Sequence, residues 1–389
     1  LDSANNTKSE PLTFGLLLLV AAAIRLYVNN IVQFMTEADE GTYFDYTKRL
    51  FDGGIGNYPD LVRTYLADKD MWLMPSPLRW SWLGTTSLAS LISGECTYRV
   101  LATVSTLAGI AAVWLTWRLG RELFDDHIAL AAAALTATSP LQLALGRRAL
   151  ADEFFCALFL ASCASLLAYL RTNRNAWLAA WIVCATLTFA AKEQFLLAYP
   201  VVLLFWWLRG RSLDWKTLLA WALPCFLYFA VFCLLAHDVT SFFKIAHLTT
   251  STIGAEYPEQ YQNGPPQRLL IDFLAVSPLV MLAAIAAFGR LRNATLNERH
   301  LLALVGGFFV VHALLSSKNL RYIVPADSLV RLVAATFALN ELRDRRWVVA
   351  LIAINAAVEL MLFRTLFFVG GIYDPVTEEL LRVLKMLPH

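Results

Sequence analysis

At 389 residues, with 58% hydrophobic and only 16% charged side chains and a mean hydropathy of +0.55, the chain is far more apolar than a soluble domain, in which charge runs near ~25%. It reads as an integral membrane protein. A formal net charge of +2, with Lys and Arg at the ends of apolar runs rather than in blocks, carries no nucleic-acid footprint, and no nucleic-acid partner is expected.

The apolar runs are about 17 to 23 residues long, the length an α-helix needs to cross a hydrocarbon core, and none alternates as a membrane barrel strand does. The expected fold is therefore an all-α polytopic membrane protein. About eleven transmembrane helices are predicted, near 12–28, 98–117, 128–145, 153–170, 175–191, 195–208, 217–236, 268–289, 300–317, 322–341 and 347–368. The first run follows a polar N-terminus, is too long for a signal peptide and lacks a small-residue cleavage pattern, so it is read as a retained span. Five of the six cysteines lie inside apolar runs as small hydrophobes, and neither a disulfide framework nor a CxxC metal motif is present.

The connections alternate in character. One set carries Arg118 and Arg121, then Arg171 and Arg174, then Arg209, Arg211 and Lys216, then Arg290, Arg292 and Arg299, then Arg343, Arg345 and Arg346; by the positive-inside rule that set is cytoplasmic. The other faces outward: a first external loop 29–97, the stretch Gly146 to Glu153, Lys192-Glu193-Gln194, a second external loop 237–267, Ser316 to Tyr322, and a short tail over 370–389. Two matches to the N-glycosylation pattern, Asn5-Asn6-Thr7 and Asn293-Ala294-Thr295, fall on the cytoplasmic side and are read as chance.

Inside the first loop, Tyr43, Tyr46, Thr47, Leu50 and Phe51 recur at helical spacing opposite Asp45, Lys48, Arg49 and Asp52, which predicts an amphipathic helix on the membrane surface ended by Gly53-Gly54. A second segment, Pro77 to Ser93, with Arg79, Trp80 and Trp82, predicts an interfacial or half-inserted helix.

The polar motifs gather on the outward side. Glu37, Asp39 and Glu40 leave the first span together. One acidic residue suffices to cap a helix, whereas three beside a bilayer must be solvated, paired or employed, and a carboxylate among apolar walls gains the basicity to take a hydroxyl proton. The bland reading of Gly146-Arg147-Arg148-Ala149-Leu150-Ala151-Asp152-Glu153 is an interface cluster that pairs internally, and that of Lys192-Glu193 is a satisfied turn. Yet Arg147, Arg148, Lys192, Arg268, Lys318 and Arg321 all point to one membrane face. Carboxylates beside phosphate-sized cationic holes suggest a reaction whose leaving group is a phosphate anchored in the bilayer. Asp327 and Arg331, four apart within a span, are read as a structural pair.

Asp39-Glu40 after the first span, the Arg147-to-Asp152 spacing, the Lys192 break, the Tyr261-Gln262-Asn263-Gly264-Pro265 loop running into Arg268 and Asp272, and Lys318 to Tyr322 followed by Pro325 resemble the GT-C glycosyltransferases of the protein O-mannosyltransferase type, glycosyltransferase family 39 and its bacterial relatives. The resemblance covers almost the whole chain, and its first motif is the most specific. It implies a GT-C-like transmembrane catalytic domain over 1–369, with a tail shorter than the soluble domain that some relatives carry. It also implies an inverting glycosyltransferase that moves a sugar from a polyprenyl-phosphate-linked donor to an acceptor hydroxyl on protein, lipid or glycan, at the extracytoplasmic face of a bacterial inner membrane. Asp39 would be the catalytic base and Glu40 its orienting partner. Arg147, Lys192, Lys318 and Arg321 would bind the donor phosphate, and Asp152, Tyr261, Gln262, Arg268 and Tyr322 would line the substrate site. No cofactor is called for, although His237 and His247, on the same side, leave room for a divalent metal. The rival reading is a transporter or flippase for a lipid-linked or anionic solute, which would place Arg331 and Glu359 on a central cavity.

Overall fold

The computed structural model describes residues 10–209, 214–251, 258–342 and 344–387; Asn5-Asn6-Thr7, Arg211, Glu256, Tyr257 and Arg343 lie outside them. The described residues form helices α1 (Glu10–Asn30), α2 (Asp39–Gly53), α3 (Tyr58–Ala67), α4 (Trp80–Ser93), α5 (Tyr98–Leu123), α6 (Asp126–Ala137), α7 (Pro140–Gly146), α8 (Asp152–Thr172), α9 (Asn175–Ala191) and α10 (Phe195–Leu208). After these come α11 (Trp215–Ala236), α12 (Val239–Ser251), α13 (Arg268–Val276), α14 (Pro278–Gly289), α15 (Leu296–Ala313), α16 (Val324–Glu341), α17 (Arg345–Leu362) and α18 (Thr377–Val383). Among the described residues one β-bridge, between Asn263 and Ser317, joins two loops.

By length and apolarity six of the described helices can cross a bilayer, lying within or around α1, α5, α8, α11, α16 and α17. A seventh crossing results if α6 and α7, bent by 57° at their junction, count as one span, and α9, α10 and α14 are shorter apolar helices among them. Each of the eleven expected runs falls on helix, but several are interrupted. Ser139-Pro140 and Ser277-Pro278 divide the runs 128–145 and 268–289, because proline lacks the amide donor and pushes the residue before it out of helical geometry. The run 300–317 follows a first turn carrying Asn297, Glu298 and Arg299, capped by Thr295 in a capping box.

The two sets of connections lie at opposite ends of the bundle. At one end Glu122 pairs with Arg118 and Arg171, Arg209 donates to Asn297, and Asn297 donates to the Leu123 carbonyl. Asn340 reaches Glu298 at the same end, and Arg290 pairs with Glu341. The outward set meets at the other end. Between them α8 packs on α5, α9 and α16, with Phe159 edge-on to both Phe195 and Phe308. Close packing, rather than water exclusion, holds membrane helices together, and at Gly120 a Cβ would lie 2.6 Å from the Ala129 Cα. Only glycine lets α5 and α6 meet there.

The surface helix expected from Tyr43 onward is α2. Its Tyr43, Tyr46, Thr47 and Leu50 are buried, and Gly54 follows in a positive-φ conformation. Rather than lying only in lipid, α4 buries Trp82, Leu83 and Thr86 against the bundle, with Thr86 Oγ1 2.9 Å from Thr47 Oγ1 of α2.

Candidate active site at the outward end of the bundle

The loop after α1 turns back tightly under α2. At Gly41 a Cβ would lie 1.8 Å from the Thr36 carbonyl oxygen, so a glycine is required for the loop to fold beneath the helix start. That fold leaves Asp39 and Glu40 in the first turn of α2, and Asp39 caps nothing. The two carboxylates part company, as residues about 100° apart on a helix must.

Glu40 is fully buried. One oxygen accepts from the Met35 amide at 2.7 Å and from Arg148 Nη1 at 3.0 Å, and the other accepts from the Ala149 amide at 2.8 Å. Through these three bonds, on both of its oxygens, it clamps the first external loop to the loop between α7 and α8. Asp39, with a quarter of its side chain exposed, pairs with Arg321 Nη2 at 2.5 Å.

Arg321 is the hub. Its guanidinium also meets Asp152 at 3.3 Å and Asp374 at 2.9 Å, and Lys192 Nζ holds the second Asp152 oxygen at 2.5 Å. A planar fork of five donors suits one residue to several carboxylates. Asp374 and its neighbour Tyr373 come from the tail; the Tyr373 ring lies 4.5 Å from the Arg148 guanidinium and 5.5 Å from that of Arg321.

Arg147 differs from these cations. It is buried, donates to the Phe367 carbonyl at 2.6 Å and lies over the Phe363 ring at 5.3 Å, and no carboxylate of the described residues pairs with it. Burial and, next, the neighbouring Arg148 charge bring its pKa down to about 10.

Neither bland pairing holds. Arg148 reaches Glu40 while Asp152 turns to Lys192 and Arg321, and Lys192 and Glu193 serve different partners. Glu193 takes Arg79 through two hydrogen bonds of 2.8 and 2.9 Å, and Arg79 also donates to the Tyr43 hydroxyl. Burial opposes ionisation of Glu193, but the Arg79 charge and hydrogen bonds outweigh it and hold the carboxyl below its ordinary range. Burial lowers the Lys192 pKa, with Asp152 working against the shift and the Arg321 and Arg79 charges adding to it.

The remaining expected residues surround this centre without joining the ion-pair cluster. Gln262 accepts from the Tyr322 hydroxyl at 2.9 Å and from Ser317, and Tyr322 lies beneath the Lys192 ammonium at 5.5 Å. Lys318 donates to the Leu315 and Ser316 carbonyls, closing the chain just past α15. Arg268 donates to Thr377 at 2.6 Å, to the Tyr261 carbonyl at 2.8 Å and to the Asn263 carbonyl, so it ties the second external loop to α18. The Tyr261 side chain is partly exposed. Among the described residues no three His, Cys, Asp or Glu side chains converge as a metal site; His237 and His247 are separate and exposed, and the space between Asp39, Asp152 and Asp374 is taken by the Arg321 guanidinium. The described residues of this centre do not fit a metal ion.

Sequence reasoning missed Tyr373, Asp374 and the Arg79–Glu193 pair as members of this centre. The signals present were Arg79 two residues after Pro75-Ser76-Pro77, and a polar Tyr-Asp-Pro turn two residues after Gly370-Gly371. The residues on which the transporter reading depended, Arg331 and Glu359, are fully buried and bonded to each other at 2.8 Å, and Arg331 also pairs with Asp327 at 3.0 Å. They line no central cavity.

Residues 76–237 match the model of the family described as dolichyl-phosphate-mannose-protein mannosyltransferase. No curated protein sequence matches the chain. Its structure is similar to that of ArnT from Cupriavidus metallidurans bound to undecaprenyl phosphate, with a TM-score of 0.60 at 17% identity, over 92% of this chain and 65% of ArnT. It is also similar to the Archaeoglobus fulgidus oligosaccharyltransferase AglB. Against the form tethered to an acceptor peptide the TM-score is 0.58 at 15% identity, covering 89% of this chain and 54% of that one. Against the complex with an inhibitory peptide and a dolichol-phosphate it is 0.56 at 14% identity, covering 93% and 56%. The chain thus spans about two thirds of ArnT and just over half of AglB. It is an integral membrane protein that shares the fold of these two membrane proteins, and its residues 76–237 match the mannosyltransferase family model.

Proposed function

We propose that the chain is an inverting glycosyltransferase that moves one sugar from a polyprenyl-phosphate-linked donor to an acceptor hydroxyl. The observation that carries this reading is the half-open Asp39 carboxylate at the edge of a buried cluster of cations, at the end of the bundle away from the arginine-rich connections. The ArnT neighbour holds undecaprenyl phosphate and one AglB neighbour a dolichol-phosphate, which supports a lipid phosphate as the leaving group here.

In the proposed step Asp39 accepts the proton of the acceptor hydroxyl. The acceptor oxygen bonds to the anomeric carbon from the face opposite the phosphate. The bond from that carbon to the phosphate oxygen breaks, and its electron pair leaves with the carrier phosphate. Arg321, Lys192 and the uncompensated Arg147 offset the charge that develops there, where fixed donors contribute most. Glu40 positions Asp39 through the clamp, Asp152 holds Lys192 and Arg321 in register, and Gln262 and Tyr322 shape the floor. Lys318, Arg268 and Tyr261 act on the loops that frame the site. Residues up to 369 serve as the catalytic membrane domain, with 29–97 and 237–267 as its external loops and 370–389 as a tail that contributes Tyr373 and Asp374. By the positive-inside rule the site faces away from the cytoplasm, toward the periplasm or outside of a bacterial inner membrane.

The test is incubation of the purified protein with undecaprenyl-phosphate sugars and a panel of protein, lipid and glycan acceptors. Expected is release of undecaprenyl phosphate in step with a product of inverted anomeric configuration. Passage of the lipid-linked sugar across a proteoliposome bilayer with no glycoside formed would overturn the reading in favour of transport.

A further inference from the structure

The bent pair α6 and α7 takes backbone carbonyls out of the helical ladder in the middle of the protein, where no bulk water can serve them; locally the Ser139 amide reaches the Thr136 oxygen at 3.3 Å and the Thr138 hydroxyl that of Leu135 at 3.4 Å. Two arginines from distant helices take them. Arg25 of α1, 2% exposed, donates to the Ala137 carbonyl at 2.8 Å and the Thr136 carbonyl at 3.1 Å. Arg331 of α16, fully buried, donates to the Leu135 carbonyl at 2.8 Å. The far side of the break is held by the carboxylates that neutralise Arg331. Asp327 accepts from Ser139 Oγ and Gln142 Nε2, each at 2.8 Å, and Glu359 of α17 accepts from Thr138 Oγ1 at 3.1 Å. The same guanidinium donates at 2.8 Å to Ser277, at the second proline break. Just past its end α7 delivers Arg148 and the Ala149 amide to the Glu40 clamp and Arg147 to the Phe367 carbonyl.

We propose that Arg25 and Arg331 are positioning residues: by capping the carbonyls of the broken span they fix the direction of α7, and with it the Arg148–Glu40 contact that aims Asp39. Charges inside a membrane are costly unless bonded, and here every bond of Arg25 goes to the break itself. The activity part of the inference rests on the proposed glycosyl transfer; the structural part does not.

Arg25→Lys and Arg331→Lys keep each charge but give up the two-armed fork. Amide hydrogen exchange read by mass spectrometry should accelerate on the order of tenfold over residues 139–149, the loss expected of one buried hydrogen bond, with peptides from α5 and α8 unchanged. Transfer assays should show kcat falling and the donor KM rising, because α7 aims Asp39 through Arg148 and also carries Arg147, its C-terminal cap, to the phosphate site. Unchanged exchange over 139–149 in both variants overturns the proposal. So does acceleration spread evenly over all helices, or failure of both variants to accumulate, since either means that the arginines hold the whole bundle. Local acceleration in a protein whose wild type transfers no sugar would sustain the bracing and remove only the glycosyltransferase reading.

Discussion

Replacing Asp39 by Asn keeps its shape and a hydrogen-bonding oxygen toward Arg321 and removes its capacity to accept a proton. General-base catalysis contributes about 10²–10⁴-fold, or about 3–5 kcal/mol of barrier, so Asp39→Asn should lower kcat by that order. Its effect on folding should be small. Asp39 is a quarter exposed, and Arg321 keeps Asp152 and Asp374 when Asp39 loses its charge. Glu40→Gln should behave in the opposite way. Glu40 is fully enclosed, and an amide can accept on only one of its two terminal atoms, so at least one of the Met35, Arg148 and Ala149 donors loses its partner. Leaving the Arg148 charge without its carboxylate costs about 3–5 kcal/mol for a buried pair, and unfolding in detergent should register it. The assay is a paired measurement on each variant: initial rate of sugar transfer from a polyprenyl-phosphate donor, and midpoint of denaturation. Near-normal turnover in Asp39→Asn, with donor binding intact, would refute the assignment of the base.

Three further outcomes are expected. Arg147→Ala should weaken donor use by about 10²–10³-fold, by analogy with removing one donor from an oxyanion hole, and should leave stability unchanged or improved because a buried cation without a carboxylate partner is removed; a loss of stability with unaltered donor kinetics would count against the phosphate role. The Glu193 carboxyl is held below its ordinary value of 4.5 by Arg79 against the opposing effect of burial, so its contribution to stability is complete above that pH and is lost as pH falls through the lowered value; denaturation midpoints of Glu193→Gln should show a shallower acid slope than wild type. Cysteine at Ile55 should react with an impermeant reagent from outside intact cells and cysteine at Asn175 should not, both positions being exposed at opposite ends of the bundle; the reverse pattern would invert the proposed orientation.

Much of this architecture is legible in the sequence because hydropathy and helical periodicity are local. The helical runs, the surface helix α2 and the division of the connections into two sets all follow from spacing and composition within a few tens of residues, whereas the expected eleven crossings do not, since six of the described helices, or seven with α6 and α7 as one, are long and apolar enough to cross. The breaks were also signalled, since Ser139-Pro140 and Ser277-Pro278 stand inside apolar runs where a proline interrupts the helix. Pairing is another matter. Asp39 meets Arg321 across 282 positions of chain, and Glu40 meets Arg148 across 108; no periodicity encodes such a contact. Lys192 and Glu193 look like a pair because they are adjacent, yet at the end of α9 they diverge toward Asp152 and Arg79.

The distribution of charge fits the proposed function, with chemistry at one end of the bundle and geometry in the interior. In the interior, Arg331 is matched by two carboxylates and Arg25 by backbone carbonyls, with the Arg25 Nε left over and no water-facing group among them; a buried group that gave up one of these bonds would find no water to replace it. At the outward end Arg321 and Lys192 face Asp39, Asp152 and Asp374, of which Asp39 and Asp374 are partly exposed, while Arg147 has only a carbonyl and a ring. An incoming phosphate can therefore take up Arg147 and draw on Arg321 without leaving a carboxylate stranded away from solvent, since the one that would be released, Asp39, already faces water. On that reading, release from Arg321 also frees the Asp39 oxygen that the guanidinium occupies to receive the acceptor hydroxyl. Donor binding and activation of the base would then be one event, with Arg321 passing from carboxylate to phosphate.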